Sequence, residues 1–398
     1  MPIHPLRFLQ ISDVHIDSKL THGQLGWPKD KREVRLKEIN SLVEKAMGMV
    51  PEQEIEAVLL PGDLWDDETV SPESVSRLVD AFASIRPVPV FIAPGNHDFC
   101  SPLSMYNSET LAARRMRPWP DNVVIFDKPD FFSVRHPLRP DVVVVGRAFL
   151  QNVRINERLL GKTIQRPDAE IRILLFHGSL DGYWREGPEK ITAPFSREEL
   201  LSQDFSYTAL GHYHQFDQIV DVTGRVRAAY AGSTAGRMLG EEGPRYVLLG
   251  SVDSNGLVGD FEKVELDSRR IQVFEVDVSR ADSLEIQSRI EHELEVAGCR
   301  PEDIVAVRLN GRVYKGTNTD MESVFSDRYF HFKLFDRTKP AYDIENYDTR
   351  TVEGRFIKKM EEEMEAAETD AKRLLIERAL YYGLDALFQG EVKPTYED

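Results

Sequence analysis

Cysteine is nearly absent from this 398-residue chain: Cys100 and Cys299 lie far apart and outside any CxxC pair, so neither a disulfide framework nor a zinc knuckle is expected. Such usage suits a reducing cytoplasm. Long apolar runs are missing as well. No stretch of roughly 18 apolar residues occurs, so no membrane-spanning helix and no membrane partner are expected. The opening MPIHPLRFLQISDVH lacks the charged region, hydrophobic run and small-residue cleavage site of a secretory signal. Basic residues are in deficit, with 50 Lys and Arg against 67 Asp and Glu, a net charge of −17. That excludes a broadly basic nucleic-acid-binding surface and favours solubility. Nucleic acid stays open as a substrate, because bound cations and local basic stretches neutralise phosphates where chemistry happens. Two such stretches are Lys29, Lys31, Arg32, Arg35 and Lys37, and Arg114, Arg115 and Arg117 beside Trp119.

Internal repeats and low-complexity tracts are also absent, and 41% hydrophobic with 29% charged residues is an ordinary globular balance. At roughly 150 residues per domain the length suggests two folded units with an appendage. Residues 6–12 read as a buried strand ending in polar groups. Helical apolar spacing follows over 32–49, at Val34, Leu36, Ile39, Leu42, Val43 and Ala46. The pattern repeats as strand 57–60, helix 74–85 and strand 89–93. After Pro120 short β-rich runs take over, at 123–126, 131–134, 142–145, 171–176, 207–210, 225–230, 246–250 and 259–265. The expectation is an α/β/α sandwich in which a second sheet packs on the first and the sheets are mixed, spanning 1–267. A small α+β domain is expected over 268–345. A helical tail over 346–398 carries an apolar stripe at Val352, Phe356, Met360, Met364, Ala367, Ala371 and Leu374.

Chemistry concentrates where strands end. Asp13 and His15 stand two apart after the first strand, a spacing that aims both side chains the same way from an extended strand tip. Gly62-Asp63 lets the backbone turn sharply and presents a carboxylate able to bridge two cations. Gly95-Asn96-His97-Asp98 offers an amide oxygen as a ligand beside an imidazole free for proton transfer. His177 ends the run ILLFH. Gly211-His212-Tyr213-His214 sets two imidazoles on one side of an extended segment, and neutral imidazole suits Mn, Fe or Zn. Each motif alone is common. Five strand ends in the order DxH, GD, GNHD, H, GHxH are hard to reach by chance.

This order resembles the calcineurin-like metallophosphoesterase signature, over about residues 6–265. The resemblance implies one divalent cation on Asp13, His15, Asp63 and His214 and a second on Asp63, Asn96, His177 and His212, most naturally Mn²⁺ with Fe or Zn as alternatives. It implies phosphate oxygens clamped by the two ions, an activated hydroxide, and His97 protonating the leaving group with Asp66 orienting it. Asp98 is the weaker candidate for that orienting role. Phosphoprotein phosphatases of the superfamily carry an arginine just after the second Asp of GDxxD. Here Asp67 stands there, which argues for phosphodiesters over phosphomonoesters.

RFLQISDVHIDSKL, GDLWDDE and the C-terminal strand–helix–strand unit with its helical tail are similar to the SbcD-type DNA repair exonucleases. The tail segment GLDALFQG at 383–390 resembles the bacterial YhaO-like branch. That implies a cytoplasmic DNA nuclease with a coiled-coil ATPase partner of the SbcC type docking on the apolar stripe, and it admits a homodimer. The other functions the sequence admits are a small-molecule phosphodiesterase and a weakly catalytic scaffold for such an ATPase.

Overall fold

Parallel strands covered on both sides must be apolar on both faces, and the early strands are. The computed structural model describes residues 4–20, 24–183, 191–314 and 316–389; Gly390 and the rest of the tail lie outside them. β1 (Leu6–Gln10), β2 (Ala57–Leu60) and β3 (Val90–Ile92) are buried along almost their whole length. They pair in parallel, Leu9 with Val58 and Leu59 with Phe91. Between them run α1 (Lys29–Asn40), α2 (Leu42–Glu52) and α3 (Pro72–Ser84). The single helix expected over 32–49 is interrupted at Ser41, whose hydroxyl donates to the Glu38 carbonyl. α3 starts where Ser71 accepts from the Ser74 amide and Pro72 fixes the first turn. Val43, Ala46, Met47 and Val50 of α2 and Val75, Leu78 and Phe82 of α3 belong to one apolar cluster with the outer face of the sheet.

Past α4 (Ser108–Ala113) the β-rich stretch does not all go to a second sheet. β4 (Val123–Ile125) joins β3. β5 (Phe132–Arg135), β6 (Val142–Gly146), β7 (Ile171–His177), α5 (Arg197–Ser202), β8 (Tyr207–Gly211), β9 (Asp217–Val220) and β10 (Val226–Tyr230) follow. These strands form the second sheet, in the order β5-β6-β7-β8-β10-β9. The chain then returns to the first sheet. β11 (Val247–Asp253) pairs antiparallel with β1, Phe8 opposite Gly250, and β12 (Gly256–Leu257) and β13 (Glu262–Val264) pair with β11. The reason is burial: Val247, Leu248 and Leu249 are covered on both faces only beside β1. Both sheets are therefore mixed. Phe8, Leu59 and Phe91 of the first meet Val144, Ile173, Leu175 and Tyr207 of the second in the layer between them.

By contacts the chain divides into two compact units, one up to residue 272 with 300–304 and 329–331, the other comprising the remainder. Apart from the first residues of β14, β15 and β17, the second unit carries β14 (Ile271–Asp277), α6 (Ser283–Val296), β15 (Ile304–Asn310), β16 (Arg312–Val313), α7 (Glu322–Phe325), β17 (His331–Asp336) and β18 (Lys339–Pro340). β14, β15 and β17 make a three-stranded sheet; β16 and β18 pair separately. α6 opens with a capping box between Asp282 and Glu285 and buries Ile286, Ile290 and Leu294. The tail is two helices in this same unit, α8 (Val352–Glu365) and α9 (Asp370–Gln389). The middle of the expected stripe faces inward, where Phe356, Met360 and Met364 pack with Ile357, Leu380 and Leu384, whereas Val352, Ala371 and Leu374 are exposed.

Candidate metal centre

Every candidate ligand lies at or just beyond the carboxyl end of a strand: β1 for Asp13 and His15, β2 for Asp63, β3 for Asn96, β7, which His177 ends, and β8 for His212 and His214. Loops beyond carboxyl ends are where open α/β sheets gather their ligands. Locally the geometry differs from strand alternation. Asp13, His15 and Asp63 have φ of 49°, 50° and 54°, and His212 has 113°. Non-glycine residues held there cost about 1–3 kcal/mol each and persist only when neighbours fix them. The fixing bonds are present. Asp13 N–H donates to the Gly62 carbonyl at 3.3 Å and His15 N–H to that of Asp63 at 3.1 Å. His97 N–H donates to Asp63 Oδ1 at 3.0 Å, and His212 N–H to Asp13 Oδ1 at 3.0 Å. Gly95 must be glycine, since a Cβ there would overlap Asp63 Oδ1.

The turns sort the ligands into two groups. Asp13, His15 and His214 converge in one, and Asp63, His177 and His212 in the other, with donor atoms in each within 4.8 Å of one another. His212 and His214 therefore separate into different groups instead of sharing one side of an extended segment. Asn96 Oδ1 lies 3.0 Å from His177 Nε2. A third group, His15, Asp66 and His97, lies around Asp66.

Protons decide what these groups can hold. His177 Nδ1 lies 2.8 Å from the Pro61 carbonyl, which can only accept, so its Nε2 carries a lone pair. That lone pair faces Asn96 Oδ1, and Asp63 Oδ2 is 3.5 Å away. His15 Nδ1 donates to Asp66 Oδ1 at 2.7 Å, leaving a buried Nε2 with no hydrogen-bond partner, 3.8 Å from Asp63 Oδ2. His214 Nδ1 donates to Glu241 Oε1 at 2.7 Å. All three imidazoles thus have one nitrogen fastened to an acceptor, and at His15 and His177 the other is left basic, as imidazole ligands of metals are. Lone pairs facing lone pairs in a buried site fit divalent cations.

Electrostatics agree. Burial, with help from the Arg237 charge, pushes His15 down to about 4, and burial lowers His177 as well, so both could ligate without first losing a proton. Burial works to raise Asp63, but the neighbouring imidazoles, of which His97 is the one charged at neutral pH, and the bond from the His97 amide lower it. His97 goes the other way, raised to about 9 mainly by the Asp63 charge and then by its hydrogen bond to Asp66. Asp98 does not reach His97: buried, it accepts from the amides of Asp63, Leu64 and Gly95 and from the Tyr106 hydroxyl. It staples the two ligand loops together.

Two cavities open on these groups and share His97, Asn152 and His214. One of about 260 Å³ reaches Asp63, Asn96 and His212, with Arg154 on its wall; the other, about 480 Å³, is lined by His15, Asp66, Asp67, Lys19 and Arg237. Glu241, Arg237, Asn152 and Arg154 escaped the sequence reading. They sit in loops with no periodic signal, and Glu241 comes 27 residues after the histidine it fastens.

Residues 6–216 match the family model described as calcineurin-like phosphoesterase. A Bacillus subtilis (strain 168) protein named uncharacterized metallophosphoesterase YhaO is 26% identical over 267 residues, 65% of this chain and 60% of that one. The chain thus spans less than two thirds of that relative's length. Among solved structures, TT1561 of Thermus thermophilus superposes with a TM-score of 0.38 at 13% identity, over 66% of this chain and 99% of that one. The purple acid phosphatase PPD1 from yellow lupin (Lupinus luteus) seeds gives 0.36 at 14% identity, over 66% and 52%.

Proposed function

The chain belongs to the calcineurin-like phosphoesterase family, and from that premise we propose that its metal-dependent hydrolysis is directed at phosphodiesters, with DNA as the substrate. The observation that carries this is Asp67. It lines the larger cavity together with Asp66 and Glu68, where a phosphatase would present an arginine. A monoester brings one more negative charge than a diester. For unit charges about 6 Å apart at an effective dielectric constant of about 40, the added repulsion is roughly 1.4 kcal/mol, about tenfold in preference.

Asp13, His15, Asp63 and His214 would hold one divalent cation, and Asp63, Asn96, His177 and His212 the other. Manganese suits the mixed imidazole and carboxylate set. When bound, the ions supply positive charge for the phosphoryl oxygens and acidify an attacking water. The remaining steps fall to side chains. Asp66 holds His97 Nδ1 at 3.2 Å, so Nε2–H is the proton available to the departing oxygen. In the metal-free chain the Asp63 charge and the bond to Asp66 raise the affinity of His97 for that proton. By its resemblance to SbcD-type nucleases, we assign the chain to the cytoplasm, with a coiled-coil ATPase of the SbcC type as its partner and a homodimer as its own assembly.

The test compares bis-nitrophenyl phosphate with nitrophenyl phosphate, and single-stranded, duplex and hairpin DNA, in Mn²⁺, Mg²⁺ or Zn²⁺. The expected result is cleavage of DNA and a diester preference of roughly tenfold or more in kcat/KM, eroded by Asp67→Arg. Preference for the monoester would overturn the diester reading. Diester turnover with DNA intact in every metal would instead mark a small-molecule phosphodiesterase.

A further inference from the structure

The larger cavity at the metal centre, about 480 Å³, has an apolar wall that none of the proposed chemistry uses: Leu20, Phe99 and Met238 line it beside His15, Asp66 and His97. Its volume lies within the range of about 300–1,000 Å³ typical of sites that enclose small organic groups. Phe99 stands two residues after His97 and is half-buried, packing against an apolar cluster that includes Phe149 and Phe176. Leu20 is buried in a cluster with Ile39, Leu42 and Ala235 and is held at φ of 49°, a costly conformation for a branched side chain. Both are thus anchored from behind. The cations of this cavity are already answered, Lys19 by Glu68 at 3.7 Å and Arg237 by Glu241 at 2.8 Å. Asp66 and Asp67 also line it, so a second phosphate would meet no spare positive charge there. A neutral, planar group needs none.

We propose that this wall is a nucleobase subsite: with the scissile phosphate held at the two ligand groups, the base on one of its ester arms packs on the Phe99 ring, with Leu20 and Met238 around its edges. The cavity and its smaller neighbour share His97, Asn152 and His214, so a diester at their junction can send one arm into each. Among the described residues no phenyl or phenol ring lines the smaller cavity, which assigns the base to the larger. An aromatic side chain accepts any base, since every base has a π-face. A flexible, polarisable methionine adapts to purines and pyrimidines alike. A free phosphate or a bare sugar–phosphate strand would leave three apolar side chains facing a site otherwise built of ligands and acids. The choice of a nucleobase rests on the reading of DNA as substrate given above.

Calorimetry compares a deoxyadenosine trinucleotide with an abasic trimer of the same backbone and charge, each titrated into the manganese-loaded full chain carrying His97→Gln so that the strand survives. The trinucleotide is expected to bind about tenfold or more tightly than the abasic trimer, the size of one base–ring contact. Phe99→Ala should erase most of that advantage, and Phe99→Tyr, which restores the ring, should keep it. Affinity for the abasic trimer and metal content should stay at the parent's values in both. Phe99 also supports the core, so Met238→Ala is a second variant, expected to lose about threefold of the advantage. Equal binding of the two trimers by the parent would overturn the proposal and leave the DNA reading standing. So would an advantage undiminished in the folded alanine variants. If neither trimer binds, the DNA reading fails and the subsite with it.

Discussion

Asp66 accepts from two imidazoles through one oxygen, 2.7 Å from His15 Nδ1 and 3.2 Å from His97 Nδ1. The shorter bond goes to a buried ligand and the longer to a side chain that is 46% exposed toward the cavity. His97 is thus fixed enough to aim its proton and free enough to meet a substrate. It donates no atom to either of the two groups that would hold the ions. His97→Gln should therefore leave metal stoichiometry unchanged while turnover on DNA falls by roughly 10²–10⁴. Nitrophenolate departs without protonation, so the loss should shrink on bis-nitrophenyl phosphate. Equal losses on both substrates, or metal lost with activity, would remove His97 from the acid role. At this scale the ligand residues were legible from their order along the chain. Their supports were not: Glu241 fastens His214, and Asp98 staples the loops of Asp63 and Gly95, through contacts that no local pattern announces.

Among the elements, the helical tail shows what periodicity leaves open. Four-residue spacing of Phe356, Met360 and Met364 establishes an apolar helix face, for which a partner ATPase is one candidate cover. In the structure α9 covers it, with Leu380 and Leu384 buried against that face. A coiled-coil partner would have to use another side of α9, where Leu374 and Leu375 are exposed. At Gly383 a Cβ would overlap the Phe356 ring. Gly383→Ala is expected to cost about 1–3 kcal/mol of hairpin stability through overpacking, outweighing the gain in helix propensity of roughly 1 kcal/mol. Limited proteolysis should then cut the tail earlier while diester turnover stays at wild type. A variant as resistant as the parent would mean that the hairpin contact is not tight.

For the molecule as a whole, the metal centre is a store of uncompensated polarity. Buried lone pairs at His15 and His177 and the buried Asp63 carboxylate face one another. Ions that bind only the folded chain stabilise it by mass action, about 2.7 kcal/mol at a hundredfold excess over Kd. Stripping metal should lower the melting temperature, and Mn²⁺ should restore it. An unmoved melting temperature would argue against a buried two-ion site. The metal-free protein should also be acid-sensitive. His15 is depressed from 6.5 to about 4 by burial, so its neutral form favours the folded state. That contribution is complete above about pH 6.5 and is lost as pH falls toward 4, worth about 3 kcal/mol. Glutamine at position 15 should flatten this window in metal-free protein. An unchanged acid limb would assign the sensitivity to other groups.

The sequence by itself determined which residues could bind metal, because donor atoms are a property of side-chain type and the order DxH, GD, GNHD, H, GHxH survives in one dimension. It also determined the alternation of buried strands and helices, since burial on both faces demands continuous apolar runs. Tertiary structure alone decided that β4, β11, β12 and β13 complete the first sheet, as pairing depends on which edge is near. It likewise decided how the donors divide. Left-handed turns at Asp13, His15 and Asp63 aim side chains where strand alternation would not. Those turns persist only because hydrogen bonds from distant loops, such as His97 N–H to Asp63 and His212 N–H to Asp13, hold them.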